Sequence, residues 1–123
     1  LTTNIYKSNE EHYKNILSRI DGSSQTERKF LDFLYKNGYK LPDEAQKQIK
    51  DLYVQPDFYY KESVCIFCDG TPHDKEEIKE KDIKQRALLR EHGYDVIVYY
   101  YKDSLEELVN KRKDVFKKVK NGF

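Results

Sequence analysis

The chain has 123 residues, which suits one domain and leaves little room for a second. Hydrophobic residues make up 37% of it, enough for a modest core, and the formal charge is only +1 although 37% of the residues are charged. Bulk charge therefore points to neither a nucleic-acid nor an acidic partner, no apolar run reaches membrane-spanning length, and no secretory pattern appears. Two cysteines make no disulfide framework, so a reducing, cytoplasmic setting is expected. The lack of any methionine fits an excised domain or a processed chain.

The first element expected is a short helix from Asn9 to Ile20, with Tyr13, Ile16, Leu17 and Ile20 at helical spacing. Asp21-Gly22-Ser23-Ser24 breaks it. Ser24 then suits the N-cap of a second helix, with Glu27 three positions on as in a capping box. Phe30, Leu31, Phe33 and Leu34 form that helix's buried stripe, and Asn37-Gly38 ends it. From Tyr39 to Ile49 the signal is mixed, with Pro42 against a continuous element and a short strand expected around Gln46 to Ile49.

Val54 to Tyr60 and Val64 to Asp69 have strand character, and Lys61-Glu62-Ser63 is the length of a hairpin connection. The second of these strands is apolar on both faces, which marks an interior strand. A turn at Gly70-Thr71-Pro72-His73 leads to a helix from about Lys75 to Glu91, with Ile78, Asp82, Ala87 and Leu88 or Leu89 facing inward. Gly93 stops that helix, Asp95 to Tyr101 is another interior strand, and Asp103-Ser104 opens a terminal helix contacting the core through Leu105, Leu108, Val109, Val115 and Phe116. No repeat or internal linker divides the chain.

The chemically informative residues lie on the two strands of the expected hairpin. Asp57 is early in the first, and Asp69 ends the second just before a glycine turn. If the strands pair, the two carboxylates converge, and two such groups in a dry site repel unless a proton or cation joins them. Carboxylate oxygens with a backbone carbonyl suit magnesium or manganese, which would polarise a phosphodiester and acidify an attacking water. Taken singly, an Asp at a strand end and a pre-turn Asp-Gly are also common without catalysis.

His73 could serve as general base or proton relay to the attacking water, or hydrogen-bond a phosphate, against the simpler reading of a surface loop histidine. Asp82, on the helix behind the loop, could orient His73 or a bound water. Lys81, Lys84 and Arg86 are candidate phosphate contacts, although Arg86 lies four residues after Asp82, the spacing of an ordinary helical ion pair. Glu27 could be a capping residue only, or a third carboxylate of the site. The basic stretch with Lys111, Arg112 and Lys113 is either a nucleic-acid contact or a solvated face. Cys65 and Cys68, three apart on a strand, point to opposite faces and cannot pinch one ion. Cys68 is instead expected to offer its backbone carbonyl.

At these residues the chain resembles the very-short-patch-repair endonucleases and related nuclease-like domains of bacterial helicases and restriction systems, within the PD-(D/E)xK superfamily. The resemblance runs from about Ser24 to Phe116. Pro56-Asp57-Phe58 matches the family's PDF strand, Val64 to Gly70 its central strand and turn, and His73 the histidine that follows. Lys81-Asp82 with Arg86, then Leu89, Gly93-Tyr94 and Val96, resembles its helix and next strand.

The resemblance implies an α/β, restriction-endonuclease-like fold with a central mixed β-sheet flanked by helices. Residues 1–23 would be an N-terminal helical extension and 24–123 the nuclease domain. It implies Asp57 as principal metal ligand, the Cys68 carbonyl as a second, Glu27 as the helix glutamate near the metal, and His73 and Asp82 as aids to water activation, with Mg2+ (or Mn2+) as cofactor. Two departures stand out: the acid-x-lysine element is missing, with Thr71 two places after Asp69, and Phe67 stands where related domains carry Glu. Neither the structural zinc nor the T:G specificity of the mismatch enzymes is carried over.

The function expected is a metal-dependent DNA endonuclease domain. The alternative is a catalytically inactive DNA-binding or scaffolding domain of a larger helicase or defence protein, and a third is an unrelated α/β domain whose tyrosine-rich surface binds protein. DNA and a larger parent protein are the expected partners, a membrane is not, and a homodimer is left open.

Overall fold

The structure is a computed structural model that describes residues 8–20, 24–70 and 76–119. Its elements run α1 (Asn9–Leu17), α2 (Gln25–Lys36), β1 (Glu44–Ala45), a 3-10 turn (Lys50–Leu52), β2 (Phe58–Tyr60), β3 (Val64–Asp69), α3 (Glu76–Glu91), β4 (Asp95–Tyr100) and α4 (Leu105–Lys111). The four strands form one mixed sheet in the order β1-β2-β3-β4. β1, β2 and β3 are antiparallel neighbours, and β3 and β4 are parallel with Cys65 opposite Val96 and Phe67 opposite Val98. A parallel pair needs a long crossover, and α3 supplies it. The expected α/β class with a central mixed sheet flanked by helices is the one observed.

β3 and β4 form where they do because both are continuous runs of β-branched, aromatic and cysteine side chains, suited to burial on two faces. Their alternation sorts the core into two clusters. Val64 and Ile66 of β3 and Ile97 and Tyr99 of β4 face Ile16 of α1, Phe30, Leu31 and Leu34 of α2, and Leu105, Val109, Val115 and Phe116 of the C-terminal segment. Cys65 and Phe67 face the other way, with Ile49, Val54 and Leu89. The two cysteines therefore lie on opposite faces, as their spacing requires, and Cys68 packs against the first cluster. Phe30 is the hub of that cluster, with ring centroids 5.4 Å from Phe58, 5.8 Å from Tyr99 and 5.9 Å from Phe116.

α1 ends at Leu17 rather than Ile20, and its Ile16 is 1% exposed in the main cluster. Tyr13 stacks on Tyr35 at 4.2 Å and donates to Asp32 Oδ1 at 2.5 Å, a bond that pushes the phenol up to about 12. Ser104 caps α4 by accepting from the Glu107 N–H at 3.3 Å. The segment after α4 returns to the turn that follows α2. Lys40 N–H donates to Lys117 O and Val119 N–H to Gly38 O, each at 2.7 Å, and Tyr39 bridges Lys118.

Three local readings give way to tertiary structure. The strand expected at Gln46–Ile49 is displaced to Glu44–Ala45, because Gln46 takes a left-handed φ of +56° that no strand continues through. The strand expected from Val54 shortens to Phe58–Tyr60, with Val54 in a separate bridge to Ile49 and Pro56 unable to donate to a ladder. Ala87 of α3, expected inside, is exposed, and Leu89 is the buried residue of that stretch.

Candidate metal centre

β2 starts where β3 ends, so the antiparallel pairing brings Asp57 beside Cys68 and Asp69. Asp57 Oδ2 accepts a hydrogen bond from the Cys68 N–H at 2.7 Å, and the Asp57 N–H donates to Ile66 O at 2.9 Å. In an extended strand the N–H and C=O of one residue face the same edge, so the Cys68 carbonyl turns to the β2 side as well. Pro56 lies on that side and has no N–H to offer it.

The first turn of α2 closes the site from above. The approach is tight: a Cβ added at Gly70 would stand 3.3 Å from Thr26 Oγ1. Ser24 caps α2 without a side-chain hydrogen bond, so the expected capping box does not form. Glu27 instead turns inward and is 5% exposed, the one buried charged residue among those described. Its Oε1 accepts from Gln46 Nε2 at 2.9 Å, and its carboxyl shares a hydrogen bond with Asp57. Gln46 is held in turn by Gln55, whose Nε2 donates to Gln46 Oε1 at 2.7 Å.

Burial, and then the hydrogen bond to Glu27, push the Asp57 carboxyl up to about 8, against the pull of the Cys68 N–H. The negative charges of Glu27 and Asp69 add to the rise. The two carboxyl groups would repel each other if both were ionised, which favours a proton shared between them.

Asp69 is near but differently engaged. Its two oxygens take a fork from Arg86 of α3, Nη2 to Oδ1 at 2.7 Å and Nη1 to Oδ2 at 3.1 Å. The guanidinium lies 4.7 Å from the centre of the Phe67 ring. Arg86 therefore points at Asp69 and not at Asp82, the partner its helical spacing suggested. Phe67 supplies the surface on which that arginine stacks.

Of the remaining candidates, Asp82 is half-buried on α3, while Lys81 and Lys84 are exposed on the same helix. His73 lies outside the described residues. Arg112 is committed to two carboxylates, Asp95 and Asp114. Lys111 and Lys113 are exposed, and Lys113 lines a cleft of about 460 Å³ with Tyr39, Phe116, Lys117 and Lys118. The glutamines at positions 46 and 55 were not singled out in the sequence, where only the density of amides between Gln46 and Gln55 hints at them.

Among the described residues no three His, Cys, Asp or Glu side chains gather into a ready-made metal cluster. Two carboxyl groups do meet, Glu27 and Asp57, with a main-chain carbonyl on the same edge. That donor set is all oxygen and suits a hard divalent ion, which would displace the shared proton. Comparison with known proteins finds no family model, no curated protein and no solved structure that matches the chain. Among the described residues no helix is long and apolar enough to cross a membrane.

Proposed function

We propose that this chain is a metal-dependent DNA endonuclease domain, related to the very-short-patch-repair group and carried by a larger DNA-processing protein of the cytoplasm. The observation that carries the reading is the meeting of the buried Glu27, 5% exposed, with Asp57, whose Oδ2 accepts from the Cys68 N–H at 2.7 Å at the end of the central strand. Natural folds seldom keep a buried acid beside a second, partly buried one, because each unpaired charge taken out of water costs several kcal/mol. A site that retains them is suited to exchange a proton for a cation.

Glu27, Asp57 and the Cys68 carbonyl would hold Mg2+ or Mn2+. When bound, the ion polarises a phosphodiester and lowers the pKa of an attacking water. The chain's own residues do the rest. The Cys68 N–H fixes the Asp57 carboxylate, and Gln46 fixes that of Glu27, so neither has to reorganise. Arg86, stacked on Phe67 and locked to Asp69, keeps a fixed positive charge beside the carboxylates, in a domain that lacks the acid-x-lysine. Lys81 and Lys84 would meet the DNA backbone.

One observation favours the alternative of a silent DNA-binding or scaffolding domain: both oxygens of the Asp69 carboxylate are already engaged by Arg86. The decisive experiment incubates mixed supercoiled and single-stranded DNA with magnesium or manganese, using wild type and Asp57→Ala, and follows Mn2+ binding by calorimetry in parallel. The expected result is cleavage and Mn2+ binding in wild type, with cleavage lowered roughly a thousandfold and Mn2+ binding lost in Asp57→Ala. Intact DNA with DNA binding unchanged by the substitution would transfer the assignment to the silent domain.

A further inference from the structure

The segment from Gln46 to Gln55, outside the carboxylate pair itself, is built unlike the other connections. Ile49 and Val54 bond to each other through both backbones, Ile49 N–H to Val54 O at 2.8 Å and Val54 N–H to Ile49 O at 3.4 Å. Both side chains are buried in the second core cluster, at 7% and 3% exposure. Between these two anchors the chain makes a single 3-10 turn, Lys50–Leu52, and then Tyr53.

Tyr53 is anomalous twice over. Its backbone is left-handed, at φ +55° and ψ +40°, where a bulky aromatic residue is an outlier and Gly or Asn would be at ease. Its side chain is also 90% exposed, the most exposed large hydrophobic among the described residues. Strain of this kind persists where the surrounding structure enforces it, and it clusters at binding sites. Here the enforcement is the pair of buried anchors, which leaves the ring nowhere to fold back.

The loop is also tied to the carboxylates. Gln48 Nε2 donates to Gln55 Oε1 at 3.1 Å, Gln55 to Gln46 at 2.7 Å, and Gln46 to Glu27 at 2.9 Å, an unbroken line of amides from the loop to the site. Gln46, at its inner end, is itself left-handed at φ +56°. Tyr53 is four residues from Asp57, so their Cα atoms lie within roughly 14 Å, on the order of a few nucleotides of strand.

We infer that Tyr53 is a stacking platform for an unpaired nucleobase, displayed by the loop at a fixed distance from Glu27 and Asp57. The inference deepens the nuclease reading and rests on it for the nucleic-acid partner. A tyrosine face accepts any base by stacking, and a narrow four-residue tip reaches bases that are unpaired. Bases stacked within a duplex offer it no free face. The neighbours Lys50 and Asp51 are both exposed and of opposite charge, so attraction at the tip is by the ring rather than by a basic patch.

The test is the binding of a single-stranded oligodeoxynucleotide carrying 2-aminopurine, measured in EDTA so that no cleavage runs, for wild type, Tyr53→Phe and Tyr53→Ala. Thermal melting checks that the fold is unchanged, as expected for a residue that is 90% exposed. Wild type and Tyr53→Phe should quench the probe with affinities within about twofold of each other, and Tyr53→Ala should bind about tenfold more weakly or worse and lose the quenching. Equal affinity of Tyr53→Ala and wild type overturns the inference, as does an equal loss in Tyr53→Phe. A loss of the same size on blunt duplex overturns the assignment to unpaired bases. The outcome separates from that of the nuclease reading. Binding that depends on Tyr53 without metal-dependent cleavage sinks the chemistry alone, and cleavage that depends on Asp57 with Tyr53→Ala binding normally sinks the platform alone. No binding of DNA by any of the three proteins sinks both.

Discussion

On the sheet face covered by α1, α2 and α4, Phe30, Leu31, Leu34, Phe58, Tyr60, Ile66 and Tyr99 are all 0% exposed. On the opposite face, α3 brings in Leu89, while Tyr59, Tyr94, Val96 and Val98 stay half-buried around it. The same two strands line both faces, so strand sequence alone does not set the difference. It comes from the helices: α2 presents an apolar stripe, whereas α3 presents Arg86 and Asp82 beside its few apolar residues. One face holds the fold together. The other supports the ionic groups that sit beside the carboxylate pair, and it leaves them close to water.

This contrast can be broken by substitution. Phe30→Ala should have the largest effect, a loss of about 3–5 kcal/mol in urea unfolding, since it empties the centre of an aromatic cluster that cannot collapse. Leu89→Ala should cost less, about 2 kcal/mol, because half-exposed neighbours can relax into the space. Its signature is local, with faster hydrogen exchange in α3 than in α2. Equal losses for the two variants would show that the faces share the load.

The smallest effect is one of pH. The folded chain keeps the Asp57 proton up to about 8, whereas the unfolded chain loses it near the ordinary value of 3.8. Between those limits the folded state holds the extra proton, so stability falls as pH rises, by at most about 1.4 kcal/mol per pH unit. Urea titrations of wild type at about pH 6 and pH 7 should show that fall, and Asp57→Asn should flatten it. A wild-type slope equal to that of Asp57→Asn over this range would mean that the carboxyl pair is ionised in the fold.

Much of this arrangement is legible in the sequence, for reasons that differ by element. β3, β4 and α4 are fixed by signals carried within the segment itself: apolar runs for the strands, Ser104 and its cap for the helix. α2 is fixed by its stripe, but the role of Glu27 is not, because local spacing satisfies a capping box and only the approach of β2 and β3 draws the side chain inward. β1 and β2 are hard to bound because Gln46 and Tyr53 are left-handed without being Gly or Asn. The approach of Asp57 to the end of β3 was readable from the hairpin, but its bond to the Cys68 N–H was not. Arg86 on Asp69 was not, since the residues are distant in sequence and a nearer acid, Asp82, fits the helical rule.

The strap formed by Lys117, Lys118 and Val119 over Gly38, Tyr39 and Lys40 has a consequence for how the molecule is made. A ribosome delivers the chain from its N-terminus, so α2 and the first three strands emerge while Val115 and Phe116 are still in the exit tunnel. Until those two side chains arrive, Phe30 and Tyr60 have an open flank, and the apolar face of the nascent sheet stands uncovered. The domain therefore closes late, from its last described residues backward, and a truncation there would harm it more than one of equal length at α1.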